Sequence, residues 1–325
     1  MYNNDLHFSL WADFIERDYL ETTFKELIEK NIINGATSNP AIFKNAILTS
    51  PAYKEQLKTL SGDAKSKYEA LAIYDIQKAS DILKPLFDKG DDGYVSIEVD
   101  PNLCDDAKAT IAEGRRLFEA IGRENVMIKI PATPAGYEAM EELSALGIAV
   151  NATLIFKPSQ AKECALAFAR GHKRAKKMSD CVISVFVSRI DRALDERLKQ
   201  NNIQPGLCGI YNASLCYETA EALQLPKVRT LFASTGVKGD EYAPHYYIGE
   251  LLAKNTINTA PIETIDAFVA NTSTTPKLPI EQTLIQEHFE KVAKIGIDFE
   301  AELDKQIADG LEAFKVAFKD ILEAI

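Results

Sequence analysis

The sequence predicts an α/β protein built as a (β/α)8 TIM barrel with extra helices. Three observations carry this. Short apolar stretches alternate along the chain with longer amphipathic ones, the pattern of strand–helix–strand units and a parallel sheet. Eight such stretches occur, the number that closes a barrel. The chain has 325 residues, a length that α/β barrels often reach as one unit. No repeat, low-complexity tract or Pro/Gly/Ser-rich linker divides it, so a single domain over 1–325 is expected.

Each element has its own reason. The first strand is 6–13 (LHFSLWAD), where Ser9, Trp11 and Asp13 alternate with Leu10 and Ala12. The second is about 33–38 (INGATS). Residues 40–93 then exceed what a minimal barrel needs and read as a helical insertion, with a strong helical period in KYEALAIYDIQKASDILKPLF. The third strand, 94–100 (YVSIEVD), sets Tyr94, Ser96, Glu98 and Asp100 against Val95, Ile97 and Val99. A helix over 105–121 leads to the fourth strand, 126–131 (VMIKIP), in which Met127, Lys129 and Pro131 oppose Val126, Ile128 and Ile130. A helix over 134–146 follows, then the fifth strand, 149–155 (AVNATLI), with Asn151 and Thr153 against Ala152 and Leu154. The helix 158–176 precedes the sixth strand, 182–188 (VISVFVS), where Ser184, Phe186 and Ser188 oppose Val185 and Val187. The seventh strand is 228–234 (VRTLFAS), followed by a helix over 241–254 and a weak eighth strand, 257–260 (INTA). A C-terminal helix, about 298–325, carries Phe299, Leu303, Ile307, Leu311, Phe314, Phe318 and Ile321 at three- and four-residue spacing. That is one apolar face, expected to pack on the barrel.

Composition narrows the function. With 46% hydrophobic and 26% charged residues, the chain is ordinary globular material. Its 48 acidic residues against 37 basic ones, net −11, speak against a nucleic-acid or membrane-surface partner. A small anionic substrate held by a few local cations stays open. Five cysteines (Cys104, Cys164, Cys181, Cys208, Cys216) form no C-x-x-C pair. With an N-terminus unlike a signal peptide, they point to a reducing, cytoplasmic setting. No stretch reaches the apolar length of a membrane span.

Strand alternation sorts the side chains. The apolar sets belong under the helices, so the polar sets point into the barrel: Asp13, Glu98, Lys129, Asn151, Thr153 and Ser184. A polar plug is one reading. Chemistry is the other. Desolvation favours the neutral amine of a buried lysine, a neighbouring carboxylate opposes it, and a neutral amine can form a Schiff base with a carbonyl. The iminium then drains electrons from a neighbouring carbon–carbon bond, while Asp13 and Glu98 are available to move protons. His7, His172, His245 and His288 lack metal-ligand spacing, so no metal is expected. No G-x-G-x-x-G, phosphate loop or G-x-S-x-G occurs.

A phosphate has two candidate sites. In ASTGVKGD, Ser234, Thr235 and Gly236 stand at an expected helix start, with Lys238 as the cation; phosphate sites in such barrels often follow strands seven and eight. Lys238 can equally be a solvated lysine. Arg189, after the sixth strand, is the bidentate alternative, unless it pairs with Asp191 or Asp195.

Seven motifs in order, WADFIERDYL, GATSNPAIF, SIEVD, VMIKIPAT, GIAVNATLIFKPSQA, SVFVSRID and LFASTGVK, resemble transaldolase, in its longer bacterial branch. The resemblance implies a barrel of the class I aldolase type that needs no cofactor. It implies transfer of a dihydroxyacetone unit from sedoheptulose 7-phosphate or fructose 6-phosphate to glyceraldehyde 3-phosphate or erythrose 4-phosphate, in the non-oxidative pentose phosphate pathway. Lys129 matches the Schiff-base lysine and Asp13 the acid/base at the breaking bond. Glu98 and Thr153 match the pair that positions a water and shuttles protons. Asn39 and Asn151 match the asparagines on the dihydroxyacetone hydroxyls, Ser184 and Phe186 the wall of the site, Arg189 and Ser234 the phosphate ligands. Many members have A-S-F-R-N where this chain has A-S-T-G-V-K-G, which leaves their second phosphate arginine to be replaced by Lys238. Short relatives acting as fructose 6-phosphate aldolases tend to carry Gln and Tyr in place of Glu98 and Phe186, which favours transfer over release. The alternatives are a Schiff-base aldolase of that kind and a non-enzymatic barrel that binds sugar phosphates. A monomer and a homodimer are both compatible with the sequence.

Overall fold

A computed structural model describes residues 1–271 and 274–325. Its eight parallel strands close into a barrel in chain order: β1 (Ser9–Ala12), β2 (Gly35–Thr37), β3 (Tyr94–Glu98), β4 (Val126–Pro131), β5 (Ala149–Ile155), β6 (Cys181–Phe186), β7 (Val228–Ala233) and β8 (Thr256–Ala260). The α/β barrel expected from the sequence is thus observed, and helices surround it.

The core divides as strand alternation requires. Leu10, Val95, Val126, Ile128, Val150, Ile183, Val185 and Phe232 join the cluster beneath the helices. Trp11, Tyr94, Met127, Val182, Phe186, Leu231 and Ile257 form a second cluster inside the barrel. Trp11 fills the lower interior so tightly that a Cβ at Gly35 would lie 2.5 Å from its ring. Its indole Nε1 donates to Asp92 at 2.9 Å, and Asp92 is ion-paired with Arg229 at 2.6 Å. A cavity of ≈ 600 Å³ opens at this N-terminal end. Several of its polar groups pair with one another, as in the Tyr94–Asp180 hydrogen bond of 2.8 Å, and in such barrels that end serves stability.

Three expectations change. Leu154 belongs to the inner cluster, not the helix side. The β5–β6 register shifts between Ala152 and Ile155, and Leu154 takes a left-handed φ of 58°. A bulge inserts one residue and breaks the period of two. The helix expected over 241–254 is only Tyr246–Glu250. Pro244 lacks the N–H that a helix interior needs, and Tyr242 and Tyr247 reach back to Asp195 and Asp191 at 2.8 and 3.0 Å. No helix therefore begins at Gly236, and the Thr235 hydroxyl is spent inside the wall, donating to Asn258 Oδ1 and the Thr259 carbonyl.

The helical surplus over 40–93 resolves into Pro40–Thr49, Pro51–Leu57 and Ala64–Asp88. The C-terminal helix, Phe299–Ala324, buries Leu303, Gly310, Phe314, Phe318 and Ile321. No helix among the described residues is long and apolar enough to cross a membrane.

Candidate active site

The site begins with strand register. Lys129 on β4 pairs with Glu98 on β3 and with Asn151 on β5. Three neighbouring strands therefore present three polar side chains in one layer near their C-terminal ends, the end at which such barrels hold their active sites. Lys129 is 5% exposed. Its Nζ donates to the Ser38 carbonyl at 3.1 Å and stands 3.8 Å from Glu98 Oε2. That distance is an ion pair but too long for a hydrogen bond. Both carboxylate oxygens of Glu98, and Thr153 Oγ1, have no hydrogen-bond partner among the described residues. Buried polar atoms normally have one, and a small polar molecule such as water has the chemistry to satisfy all three.

Asp13 directly follows β1. Thr37 Oγ1 donates to its Oδ1 at 2.7 Å and contacts Thr259 Oγ1 at 2.7 Å. Burial pushes the Asp13 carboxyl above the ordinary range, and Lys129, the Thr37 hydrogen bond and Arg189 pull it back. Burial raises Glu98 further, to about 7, against the opposing attraction of Lys129. At neutral pH such a carboxyl is close to half-protonated, so it can both give and take a proton.

A cavity of ≈ 160 Å³ opens on Lys129. Of the eleven residues singled out in the sequence, Asp13, Asn39, Lys129, Ser184, Phe186, Arg189 and Ser234 line it. Asn39 caps the helix Pro40–Thr49, its Oδ1 accepting from Ile42 N at 3.0 Å; the amide NH₂ is left as the polar end for the cavity. Ser184 donates to Asn151 Oδ1 at 2.6 Å, and Asn151 Nδ2 donates to Ser96 Oγ at 3.0 Å. Asn151 is thereby fixed at both ends of its amide. Glu98, Asn151 and Thr153 stand behind the cavity wall rather than in it.

Arg189 stacks over Phe186, its Cζ 5.1 Å from the ring centroid. It makes no ion pair with Asp191 or Asp195. Those carboxylates accept instead from the backbone N–H groups of Gly209 and Gly206, both at 2.8 Å. Burial, and after it the like charge of Arg192, hold the Arg189 guanidinium below its usual range. A guanidinium in that setting gains from an anion. Ser234 adopts a left-handed φ of 54° and meets the Ser188 hydroxyl at 3.2 Å. Lys238 lines a neighbouring cavity with Arg192 and Glu241, apart from the Lys129 cavity.

Sequence reasoning passed over Thr37, Ala41, Ala233, Thr259 and Phe314, which also line the Lys129 cavity. Thr37 lies inside the motif GATSNPAIF. Phe314 was visible only as one position of an apolar helix face. Its ring centroid is 5.8 Å from Lys129 Nζ.

A family model described as transaldolase/fructose-6-phosphate aldolase matches residues 10–325. A relative from Campylobacter jejuni subsp. doylei, named transaldolase, is 46% identical over 98% of this chain and 99% of its own. Two relatives from Helicobacter pylori with the same name are 46% and 44% identical, with the same coverage of each chain.

Proposed function

The chain belongs to the transaldolase/fructose-6-phosphate aldolase family, and we propose that, acting as a transaldolase, it carries a dihydroxyacetone unit between sugar phosphates as a Schiff base on Lys129. The observation that carries this reading is the Glu98–Lys129–Asn151 layer, with the lysine amine buried in a cavity that also holds Asp13. The donor is a ketose phosphate such as sedoheptulose 7-phosphate or fructose 6-phosphate, and the acceptor an aldose phosphate.

Lys129 Nζ attacks the C2 carbonyl of the ketose to give a carbinolamine. Loss of water from that species needs a proton donor, and Glu98, 3.8 Å away and titrating near 7, is suited to it. With Thr153 it holds the departing water, which the unpartnered oxygens of both side chains support. Asp13 takes the proton from the C4 hydroxyl as the C3–C4 bond breaks, and the iminium receives the electron pair as an enamine. The aldose leaves, an acceptor aldehyde enters, and the same steps run backwards. Each general acid–base step of this kind is worth about 10²–10⁴-fold. Asn39 and Ser184 orient the three-carbon unit, and Asn151 acts from behind the wall by holding the Ser184 hydroxyl. Arg189 and Ser234 bind the phosphate, and Phe186 holds the guanidinium in place from below.

Exchange between fructose 6-phosphate and erythrose 4-phosphate tests the reading. Transfer should exceed release of free dihydroxyacetone, and both should vanish in Lys129→Ala and Lys129→Arg, because a guanidinium cannot form the imine. Full exchange by Lys129→Arg contradicts it. Release without transfer favours the aldolase alternative.

A further inference from the structure

Phe314 belongs to no strand. It sits on the helix Phe299–Ala324, which lies across the barrel mouth and packs against the helix Pro40–Thr49, the end of β5 and the start of the helix Ser188–Gln200. Several contacts hold the helix down. Lys157 pairs with Glu300 and Asp304 at 3.1 and 2.7 Å, and Lys44 with Asp320 at 2.6 Å. Their acidic partners are at least a third exposed, so these pairs orient more than they stabilise.

The decisive contact is Gly310. A Cβ there would lie 3.0 Å from Leu154 Cδ2 and 3.5 Å from Arg189 Nη1. The missing side chain lets the helix approach the bulge of β5 and the guanidinium together. One turn further on, Phe314 enters the Lys129 cavity, 4% exposed, its ring 5.8 Å from Nζ.

We propose that Phe314 is a specificity residue of the Lys129 site: it roofs the bound three-carbon unit against water, and so directs that unit onto an acceptor aldehyde instead of letting it leave as free dihydroxyacetone. This rests on the Schiff-base reading above. After carbon–carbon cleavage the enamine carbon has two exits. In transfer it forms a bond to the acceptor's aldehyde carbon, and the aldehyde oxygen takes the proton held by Asp13. In release the same carbon takes a proton, water adds across the C=N bond of the resulting iminium, and dihydroxyacetone departs as the amine returns to Lys129. Hydrolysis of the iminium ends both routes and uses the water beside Glu98 and Thr153. Release alone requires a proton at the enamine carbon, and a closed apolar wall keeps bulk water, the source of that proton, away from it. The ring also lies within the roughly 6 Å over which an aromatic face attracts a cation, so it favours the cationic iminium in place.

The test compares wild type with Phe314→Ala and Phe314→Leu, measuring dihydroxyacetone released per unit transferred to glyceraldehyde 3-phosphate. The ratio should rise about tenfold in Phe314→Ala, the order of effect that one lost wall of an apolar pocket commands. The rise should be smaller in Phe314→Leu, which keeps apolar bulk and the fold should the alanine variant not fold. Gly310→Ala should raise the ratio too, because its methyl lifts the helix while leaving Phe314 intact. Borohydride trapping on Lys129 should persist throughout. An unchanged ratio with intact trapping overturns the role of Phe314 alone. Failure to trap in the wild type overturns the Schiff-base reading, and this inference with it.

Discussion

Replacing Glu98 by glutamine keeps the shape of the side chain and removes its proton. The wild-type carboxyl is raised from 4.5 to about 7 by burial, despite the nearby Lys129 ammonium. Between those two values the folded protein holds a proton that the unfolded chain has released. Stability therefore falls as pH rises through this window and is level above it. At 1.36 kcal/mol per pH unit the loss is about 3 kcal/mol. Unfolding entropy of ~2.1 cal/mol/K per residue gives roughly 0.7 kcal/mol/K for a chain of this length, so the loss corresponds to about 5 °C in Tm. The glutamine variant has no such term. Groups common to both proteins cancel in the comparison, including Asp191, which burial also raises to about 7. Thermal melts of both proteins from pH 4.5 to 8 provide the assay. The Tm of Glu98→Gln relative to wild type should climb by about 5 °C across the window. Parallel curves would show that the carboxyl is not held in the protonated state, and the assignment of Glu98 as a proton carrier near neutrality would fall with it.

Two further outcomes follow from the geometry. Asp13→Ala should slow exchange by about 10²–10⁴-fold while imine formation on Lys129 survives, since Asp13 serves bond cleavage rather than the amine. Loss of trapping in that variant would move Asp13 to another step. Gly171→Ala should cost about 1–3 kcal/mol, because its methyl would meet Ser144 Oγ at 2.0 Å and the Glu141 carbonyl at 2.4 Å where two helices touch. Chemical denaturation measures this, and an unchanged midpoint would mean that the two helices separate at no cost.

The barrel was legible because a strand's period of two is a local signal. Ser9–Trp11–Asp13 and Met127–Lys129–Pro131 each announce their inward face without reference to the rest of the chain, and the register then brings Glu98, Lys129 and Asn151 into line. The same rule misled at Leu154, where a bulge inserts one residue and a left-handed φ turns the side chain inward. Nothing in AVNATLI marks that shift. The segment 241–254 carried helical periodicity, yet Pro244 and the carboxylates of Asp191 and Asp195 left one short turn of helix. Only Pro244 was local. Phe314 was the hardest to see. Its spacing announces a packing face, and what that face packs against is settled by tertiary structure from the far end of the chain. Lys238 shows the same limit, for a lysine four residues after Ser234 is near the site in sequence and lines a different cavity in space.

The central claim is that Lys129 forms a covalent imine with a ketose phosphate. Incubation with fructose 6-phosphate and borohydride, followed by peptide mapping by mass spectrometry, tests it most directly. A reduced three-carbon adduct should appear on the peptide NVMIKIPAT, at Lys129 and nowhere else. An unmodified Lys129 under turnover conditions, or an adduct on another lysine, would contradict the account.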